Sequence, residues 1–491
     1  MELEAEMVKM RMQIQKFSQI IFGSKSERFI SNPAQLSLDM TVDADGASTK
    51  LSDVKKIAYT STKKTAPRTL DQMGGYLEGL PRIIEVREPK NLPEGAVRIG
   101  EQQHEILEII RAKVIVKVII TPTYKFTGEE GQTVIVSEPA PSRPLPKCVA
   151  GPEILAQILV DKFCDHLPVA RQVRRFERDG LTIPYNTLLD WGAKSVDLIT
   201  VVYDALKKHI LSSPYIHVDE TGLKVLLGKE GLNKKKKQIH SGFLWCYNSS
   251  RDKLVFFDYQ SGRGEIHTHG ILKDYKGIIQ TDGWQVYENV AEKNKDIRQI
   301  CCLAHARRKF KDAEPYDKER SAYALSKFKA IYEIERECKE KNLNEEEIKK
   351  RRQQDAVPIL NELHEWMLRE YTLLLPSAPM TQAIGYNLRY WDRLCYYTTD
   401  GMLKPDNNPV ENSIRPVSLG RKNFLFAGSE KGAERIAIIY SLIGTCKMND
   451  VNPQKWLADV LGRINDHPIN KISELLPHNW KKNQLKNIAQ Q

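Results

Sequence analysis

Apolar positions at the start of the chain recur in alternating steps of four and three, at Leu3, Met7, Met10, Ile14, Phe17 and Ile21. This heptad seam predicts a coiled-coil helix over residues 1–30, although an amphipathic helix packed on its own domain has the same pattern. Residues 31–78 are rich in Ser, Asp, Thr and Lys and poor in apolar side chains, the composition of a linker. Over residues 79–140 the pattern becomes β-branched runs, such as Ile109-Ile110 and Val114 through Ile120, broken by Pro122, Gly128 and Gly131. A small β-rich module is expected there, closed by the prolines Pro139, Pro141, Pro144 and Pro146.

Helical spacing takes over in residues 148–211. One helix carries Ile154, Leu155, Ile158 and Leu159, and a second carries Val169, Val173 and Phe176 together with Arg171, Arg174, Arg175 and Arg178. Asp179-Gly180 then separates the second from a short helix expected near Tyr185 to Trp191. This is the outline of a helix-turn-helix, and a plain helical bundle fits it equally well.

Beyond residue 211 the period changes again. Strands are expected through Tyr215–Asp219 and onward, at Ser241–Tyr247, Lys253–Tyr259, Gly277–Asp282 and Ile297–Leu303, with a helical stretch around Ile271 and helix from Ala304. Three strands, a helix, a strand, a helix and a strand is the order of a ribonuclease H-like domain, expected over residues 212–312 and 398–447. Residues 313–397 read as a helical insertion whose high charge suits an exposed face rather than a site. Residues 448–491 form a C-terminal helical region. The expected fold class is thus α+β multidomain, in keeping with a prior of about one domain per 150 residues.

Charge and composition narrow the function. Lys and Arg number 74 against 63 Asp and Glu, a formal charge of +11, so the chain's field attracts polyanions. No apolar stretch reaches the roughly 20 residues a membrane helix needs, and the N-terminus lacks a secretory signal's basic-then-apolar order, so a cytoplasmic protein with no membrane partner is expected. The eight cysteines are scattered, unlike a disulfide framework.

Three carboxylates stand at telling places: Asp219 on the first strand, Asp282 at the end of the fourth and Glu411 at the start of a helix. Phosphodiester cleavage needs an activated nucleophile and a neutralised leaving oxygen, and two divalent ions can supply both. Mg²⁺ (or Mn²⁺) takes oxygen ligands and keeps several waters, so a few carboxylates from distant parts of a chain suffice to hold it. Each residue also has a purely structural reading. Asp219-Glu220-Thr221-Gly222 fits a turn, Asp282-Gly283 fits a hairpin, and Asn408-Pro409 makes Glu411 the reciprocal partner of a capping box. Cys302 and His305 are too few to hold zinc and fit a packed thiol and a histidine supporting the metal ligands from behind. Arg171, Arg174, Arg175, Arg307, Arg308, Lys309, Arg415, Arg421 and Lys422 are candidates for DNA phosphates.

The wording of several segments resembles the transposases of the IS66 family of bacterial insertion sequences over nearly the whole length. These are Phe22-Gly23-Ser24-Lys25-Ser26-Glu27, Ala150-Gly151-Pro152 through Asp165-His166-Leu167-Pro168, His217-Val218-Asp219-Glu220-Thr221 and Thr281-Asp282-Gly283. Ala304-His305-Ala306-Arg307-Arg308-Lys309-Phe310, Asp406-Asn407-Asn408-Pro409-Val410-Glu411-Asn412, Gly420 through Ser429 and Leu475-Leu476-Pro477-His478-Asn479-Trp480 complete the likeness. The resemblance implies that Asp219, Asp282 and Glu411 are the catalytic, metal-binding DDE residues of an enzyme acting on element ends and target DNA. It also implies two metal ions, a homo-oligomer, a bacterial, nucleoid-associated setting and accessory proteins of the same element. Such proteins usually carry a cysteine zinc finger before the helical DNA-binding part. Here no Cys lies between Met1 and Lys147, and His104 is the one His between Leu80 and Val136, so no zinc is expected. An inactive DNA-binding derivative and another ribonuclease H-like nuclease, such as a junction resolvase, are the competing readings.

Overall fold

The computed structural model describes residues 120, 123–127, 133–137, 142–146, 148–226, 239–264 and 270–489. All belong to the second of two compact units, Arg111–Gln491. The expected coiled coil, the linker and most of the β-rich module lie outside the described residues. Two strands of that module are described: β1 (Thr123–Thr127) pairs antiparallel with β2 (Thr133–Ser137), Thr127 facing Thr133.

Four helices follow: α1 (Pro152–Phe163), α2 (Val169–Arg178), α3 (Tyr185–Leu198) and α4 (Thr200–Leu211). Gly180, at φ +83°, makes the turn after α2. The helix expected to end near Trp191 runs to Leu198, where Ser195 and Val196 are buried. Ile158, Val169, Phe176, Ile183 and Leu188 form a small core joining α1, α2 and α3. Elsewhere these helices are not separate from the sheet: Leu155, Phe163, Val196, Leu206 and Ile210 share one apolar cluster with the sheet's Trp245, Tyr247 and Phe257.

The sheet is mixed and has five strands, β3 (Tyr215–Leu226), β4 (Ile239–Ser249), β5 (Leu254–Gln260), β6 (Gly277–Thr281) and β7 (Ile297–Cys301). Their spatial order is β5-β4-β3-β6-β7, with β3, β4 and β5 antiparallel and β6 and β7 parallel to β3, the ribonuclease H-like order. Near Ile271 only residues 270–272 are helical among those described. α5 (Gln285–Lys293) makes the crossover between the parallel strands β6 and β7, which no tight turn could join. α6 (Leu303–Ala313) leaves the end of β7.

The insertion comprises α7 (Lys318–Glu340), α8 (Glu345–Arg351), a π turn over Arg352–Ala356, α9 (Val357–Tyr371), α10 (Pro379–Arg389) and α11 (Trp391–Cys395). Its charges do face outward for the most part, but it has an apolar core of its own, with Phe328, Leu363, Met367 and Ile384, that reaches Ile300 on β7. Buried Arg352 pairs with Glu335 at 2.7 Å and donates to the carbonyls of Tyr397 and Asp400. A buried guanidinium survives because all three of its nitrogens donate hydrogen bonds and its charge is paired.

The chain then returns through α12 (Asn408–Asn423) and α13 (Glu430–Met448) and ends with α14 (Pro453–Arg463) and α15 (Pro477–Ala489). α13 is apolar nearly all round, as a core helix is, and lies along the edge strand β5. Ser441 Oγ accepts from the backbone N–H of Phe257 at 2.7 Å and Thr445 Oγ1 from that of Val255 at 3.2 Å, so hydroxyls satisfy the strand edge that would otherwise be open. Close approach requires Gly444, where an added Cβ would lie 2.6 Å from Val255 Cγ1.

Candidate active site

Asp219 lies within β3, opposite Cys246, so the turn reading of Asp219–Gly222 gives way to a rigid strand flanked by buried Ile216, Val218, Leu223 and Val225. The parallel pairing of β3 with β6 matches Tyr215 to Ile278, Ile216 to Ile279 and His217 to Gln280. The pairing ends there, and Asp282 follows directly on the end of β6, near enough to Asp219 for its charge to act on that carboxyl. Asp282 is not in a hairpin. Gly283, at φ +87°, turns the chain toward α5, Asp282 Oδ1 accepts from Trp284 N at 2.9 Å, and Asp282 O accepts from the Tyr386 hydroxyl at 2.6 Å. Tyr386 belongs to α10, so the insertion expected to be only an exposed face braces the backbone carbonyl of Asp282.

Glu411 lies in the first turn of α12, but no capping box forms. The N-cap is Asn407, and its side chain makes no cap bond. It is drawn instead into the sheet: Nδ2 donates to Val218 O at 3.1 Å and Oδ1 meets His217 Nδ1 at 3.0 Å. Its backbone N–H donates to Cys302 Sγ at 3.1 Å, and Leu303 N donates to Pro405 O at 2.9 Å. One asparagine thereby joins the residue before Asp219, the start of α6 and the start of the Glu411 helix. Upstream, Lys404 is held the same way, its O accepting from Gln280 Nε2 at 3.0 Å and its N donating to the Tyr215 hydroxyl at 3.1 Å.

The electrostatics agree with this crowding. Burial, then the negative charges of Glu220, Asp282 and Glu411, push the Asp219 carboxyl up to about 7. Glu411 Oε1 is buried without a hydrogen-bond partner. A cation is what both conditions call for, so these residues fit divalent ions. They are not gathered into a closed ligand set: among the described residues no three His, Cys, Asp or Glu side chains are grouped as a metal site. His305 Nδ1 is 3.9 Å from Glu411 Oε1, and burial lowers the imidazole's pKa despite the opposing pull of Asp282 and Glu411. Cys302 is a buried thiol, pushed up by burial to about 12.

The candidate DNA-binding cations divide into two kinds. Arg171, Arg174, Arg307, Arg308, Lys309, Arg415 and Lys422 are exposed. Arg175 is instead paired with buried Asp161, Nη1 to Oδ1 at 2.8 Å, and Arg421 donates to Gly222 O and, at 3.0 Å, to Ser418 Oγ. Both therefore brace the fold.

Sequence reading missed His217, Gln280 and Asn407, whose signal was a polar residue at a buried strand or loop position. It also missed Tyr386 and the cluster around Glu220. That carboxylate accepts from Arg263 Nε at 2.8 Å and Tyr287 OH at 2.6 Å, and the Arg263 guanidinium lies 4.0 Å from the Trp284 ring centre.

Comparison with known proteins adds kinship to this geometry. Residues 147–435 match the family model described as Transposase IS66 family, and residues 441–478 match the IS66 C-terminal element. Among curated proteins, the chain is 31% identical to "Uncharacterized protein y4hP" of Sinorhizobium fredii (strain NBRC 101917 / NGR234), over 97% of this chain and 89% of that protein. It is 30% identical to y4jD of the same strain, over 99% and 98% of the two chains. No solved structure matches. With more than half its length matched by the family model, on a sheet of ribonuclease H-like order, this chain belongs to the IS66 family of transposases.

Proposed function

We propose that the chain is a DDE transposase that cleaves DNA at the ends of its insertion sequence and joins them to target DNA, with Asp219, Asp282 and Glu411 as the catalytic metal ligands. The observation that supports this most is the mutual charge of Asp219 on β3, Asp282 just after the end of its partner β6, and Glu411, together with the Asn407 ties that bind the Glu411 helix to β3. These three carboxylates would hold two Mg²⁺ or Mn²⁺ ions, which when bound would supply activation of a water or 3′ hydroxyl and neutralisation of the leaving oxygen. β3 and the end of β6 position the two aspartates, Asn407 orients the Glu411 helix, Cys302 accepts from Asn407 N, and His305 stands beside Glu411 at the start of α6.

DNA is the substrate and principal partner. Exposed Arg171 and Arg174 on α2 suit end binding by residues 148–211, while Arg307, Arg308, Lys309, Arg415 and Lys422 suit phosphates nearer the chemistry. The remaining assignments are a homo-oligomer, accessory proteins of the same element, a cytoplasmic and nucleoid-associated setting, and no zinc. Among the described residues no helix is long and apolar enough to cross a membrane.

A strand-transfer assay with terminal-repeat DNA tests the proposal. Joined products that require Asp219, Asp282 and Glu411 are expected. Binding without cleavage would mark an inactive derivative, and cleavage of branched junctions without joining would mark a resolvase.

A further inference from the structure

α6 and α12 begin side by side, with Leu303 N bonded to Pro405 O and Asn407 N to Cys302 Sγ. That places His305, the third residue of α6, against Glu411, the fourth of α12. His305 Nδ1 and Glu411 Oε1 lie 3.9 Å apart, and each is a buried atom with no hydrogen-bond partner. The gap is too long for a hydrogen bond. Two donors adjacent on an octahedral ion at about 2.1 Å lie about 3 Å apart, so the 3.9 Å gap would close by about 1 Å around a shared ion. An anionic oxygen and an imidazole nitrogen, both unsatisfied and held facing each other by paired backbones, leave that room for a cation between them.

We propose that His305 binds a divalent ion directly, sharing it with Glu411, rather than supporting the carboxylates from behind. The inference rests on the carboxylates being the metal site, and it makes that site's ligand set mixed nitrogen and oxygen instead of oxygen alone. An imidazole nitrogen adds more to the binding of a transition ion than of Mg²⁺. The site therefore favours Mn²⁺ over Mg²⁺, and His305 is the origin of the preference.

Mn²⁺ is paramagnetic, so the bond can be read without any reaction. Mn²⁺ added to the full-length chain without DNA should give an electron spin echo modulated by ¹⁴N, with the modulation changed by ¹⁵N-histidine labelling. His305→Gln should abolish the modulation and weaken Mn²⁺ binding about tenfold or more, with a smaller loss for Mg²⁺ and an unchanged circular dichroism spectrum. His305→Asn serves the same purpose should the glutamine variant fold poorly. Nitrogen modulation that persists without His305, or Mn²⁺ held by Asp219 and Glu411 with no directly bonded nitrogen in the unaltered chain, would overturn the inference and leave the carboxylate site standing. Mn²⁺ binding indifferent to Asp219→Ala and Glu411→Ala would instead remove the carboxylate reading itself.

Discussion

The seam between α13 and the edge strand β5 and the pocket between β3, β6 and the starts of α6 and α12 both bury polar groups, and they treat them in opposite ways. At the seam the groups are paired: Ser441 and Thr445 accept from Phe257 N and Val255 N, Ser441 Oγ also donates to Ala437 O at 2.7 Å, and Asn449 Nδ2 donates to Lys253 O at 2.8 Å. At the site Glu411 Oε1, His305 Nδ1 and His217 Nε2 are buried with no partner, and Asp219 is crowded by three other carboxylates. An unpaired buried polar atom costs stability. The seam is built to hold the molecule together, whereas the site holds unspent binding capacity for something outside the chain.

The strongest way to break the comparison is to remove the site's ligands. Asp219→Ala, Asp282→Ala and Glu411→Ala should each abolish cleavage and strand transfer while DNA binding, measured by mobility shift, stays near that of the unaltered chain. Appreciable joining by Glu411→Ala would transfer the third role elsewhere, with Asp406 the first substitute to examine.

Asn407 lies between the two regimes, since it is fully paired and yet serves the site. Asn407→Ala should lower the metal affinity that supports cleavage about 10- to 100-fold, the usual cost of losing a group that orients metal ligands. Asn407→Asp, which keeps the acceptor but loses the donor to Val218 O, should fall between. Titration of cleavage rate against Mg²⁺ separates this from simple unfolding, because excess metal rescues an orientation defect and not an unfolded chain.

At the seam, Ser441→Ala combined with Thr445→Ala leaves two buried N–H groups unpaired, at about 1–3 kcal/mol each. The melting temperature should drop while turnover per folded molecule holds. A lost turnover with an unchanged melting curve would reverse the roles assigned to the two regions.

A smaller effect has the opposite sign. With Asp219 raised to about 7 in the folded chain, the folded state binds more protons than the unfolded one between about pH 4 and 7. The stability linked to this group is therefore present at low pH and lost as pH rises through 7. Metal-free Asp219→Asn should melt above the unaltered chain at pH 8 and converge with it near pH 4. A lower melting temperature for the variant at pH 8 would contradict the crowding.

The smallest expected effects are at the arginines. Arg171→Ala or Arg174→Ala should reduce the salt dependence of DNA binding by about one unit of slope for each phosphate that is no longer neutralised. Arg175→Ala should lower stability instead, because buried Asp161 loses its guanidinium partner and keeps only the bond from Gln157 Nε2. Truncation at Ser213 does not test end binding cleanly, since α1, α3 and α4 pack in the same core as the sheet.

Much of this was legible from residue order alone. The strand positions, α6 and the helical character of the insertion follow from periodicities set by neighbours two to four residues away, as does the place of Asp219 on a strand and of Glu411 on a helix. So does the order of the first three strands, because a local hairpin register joins them. The sequence could not say which way Asn407 would turn, and the local rule favoured a capping box at Asn408. The winning interaction is with His217, 190 residues away along the chain, where a buried imidazole needs a partner more than a solvent-facing cap does.

Residue order settles the kinds of elements, their succession and the identity of the chemical groups, since backbone geometry and side-chain alternation are local properties. Which groups are paired and which are left over is set by packing: Arg175 belongs to Asp161 and Arg171 to solvent, Tyr386 of a charged insertion braces the Asp282 carbonyl, and Glu411 and His305 face each other without a hydrogen bond. A polar side chain pairs with whatever the fold brings within about 3 Å of it in place of water. That choice is made between different elements, 14 residues apart for Arg175 and Asp161 and 104 for Tyr386 and Asp282, where no pattern within one element can record it.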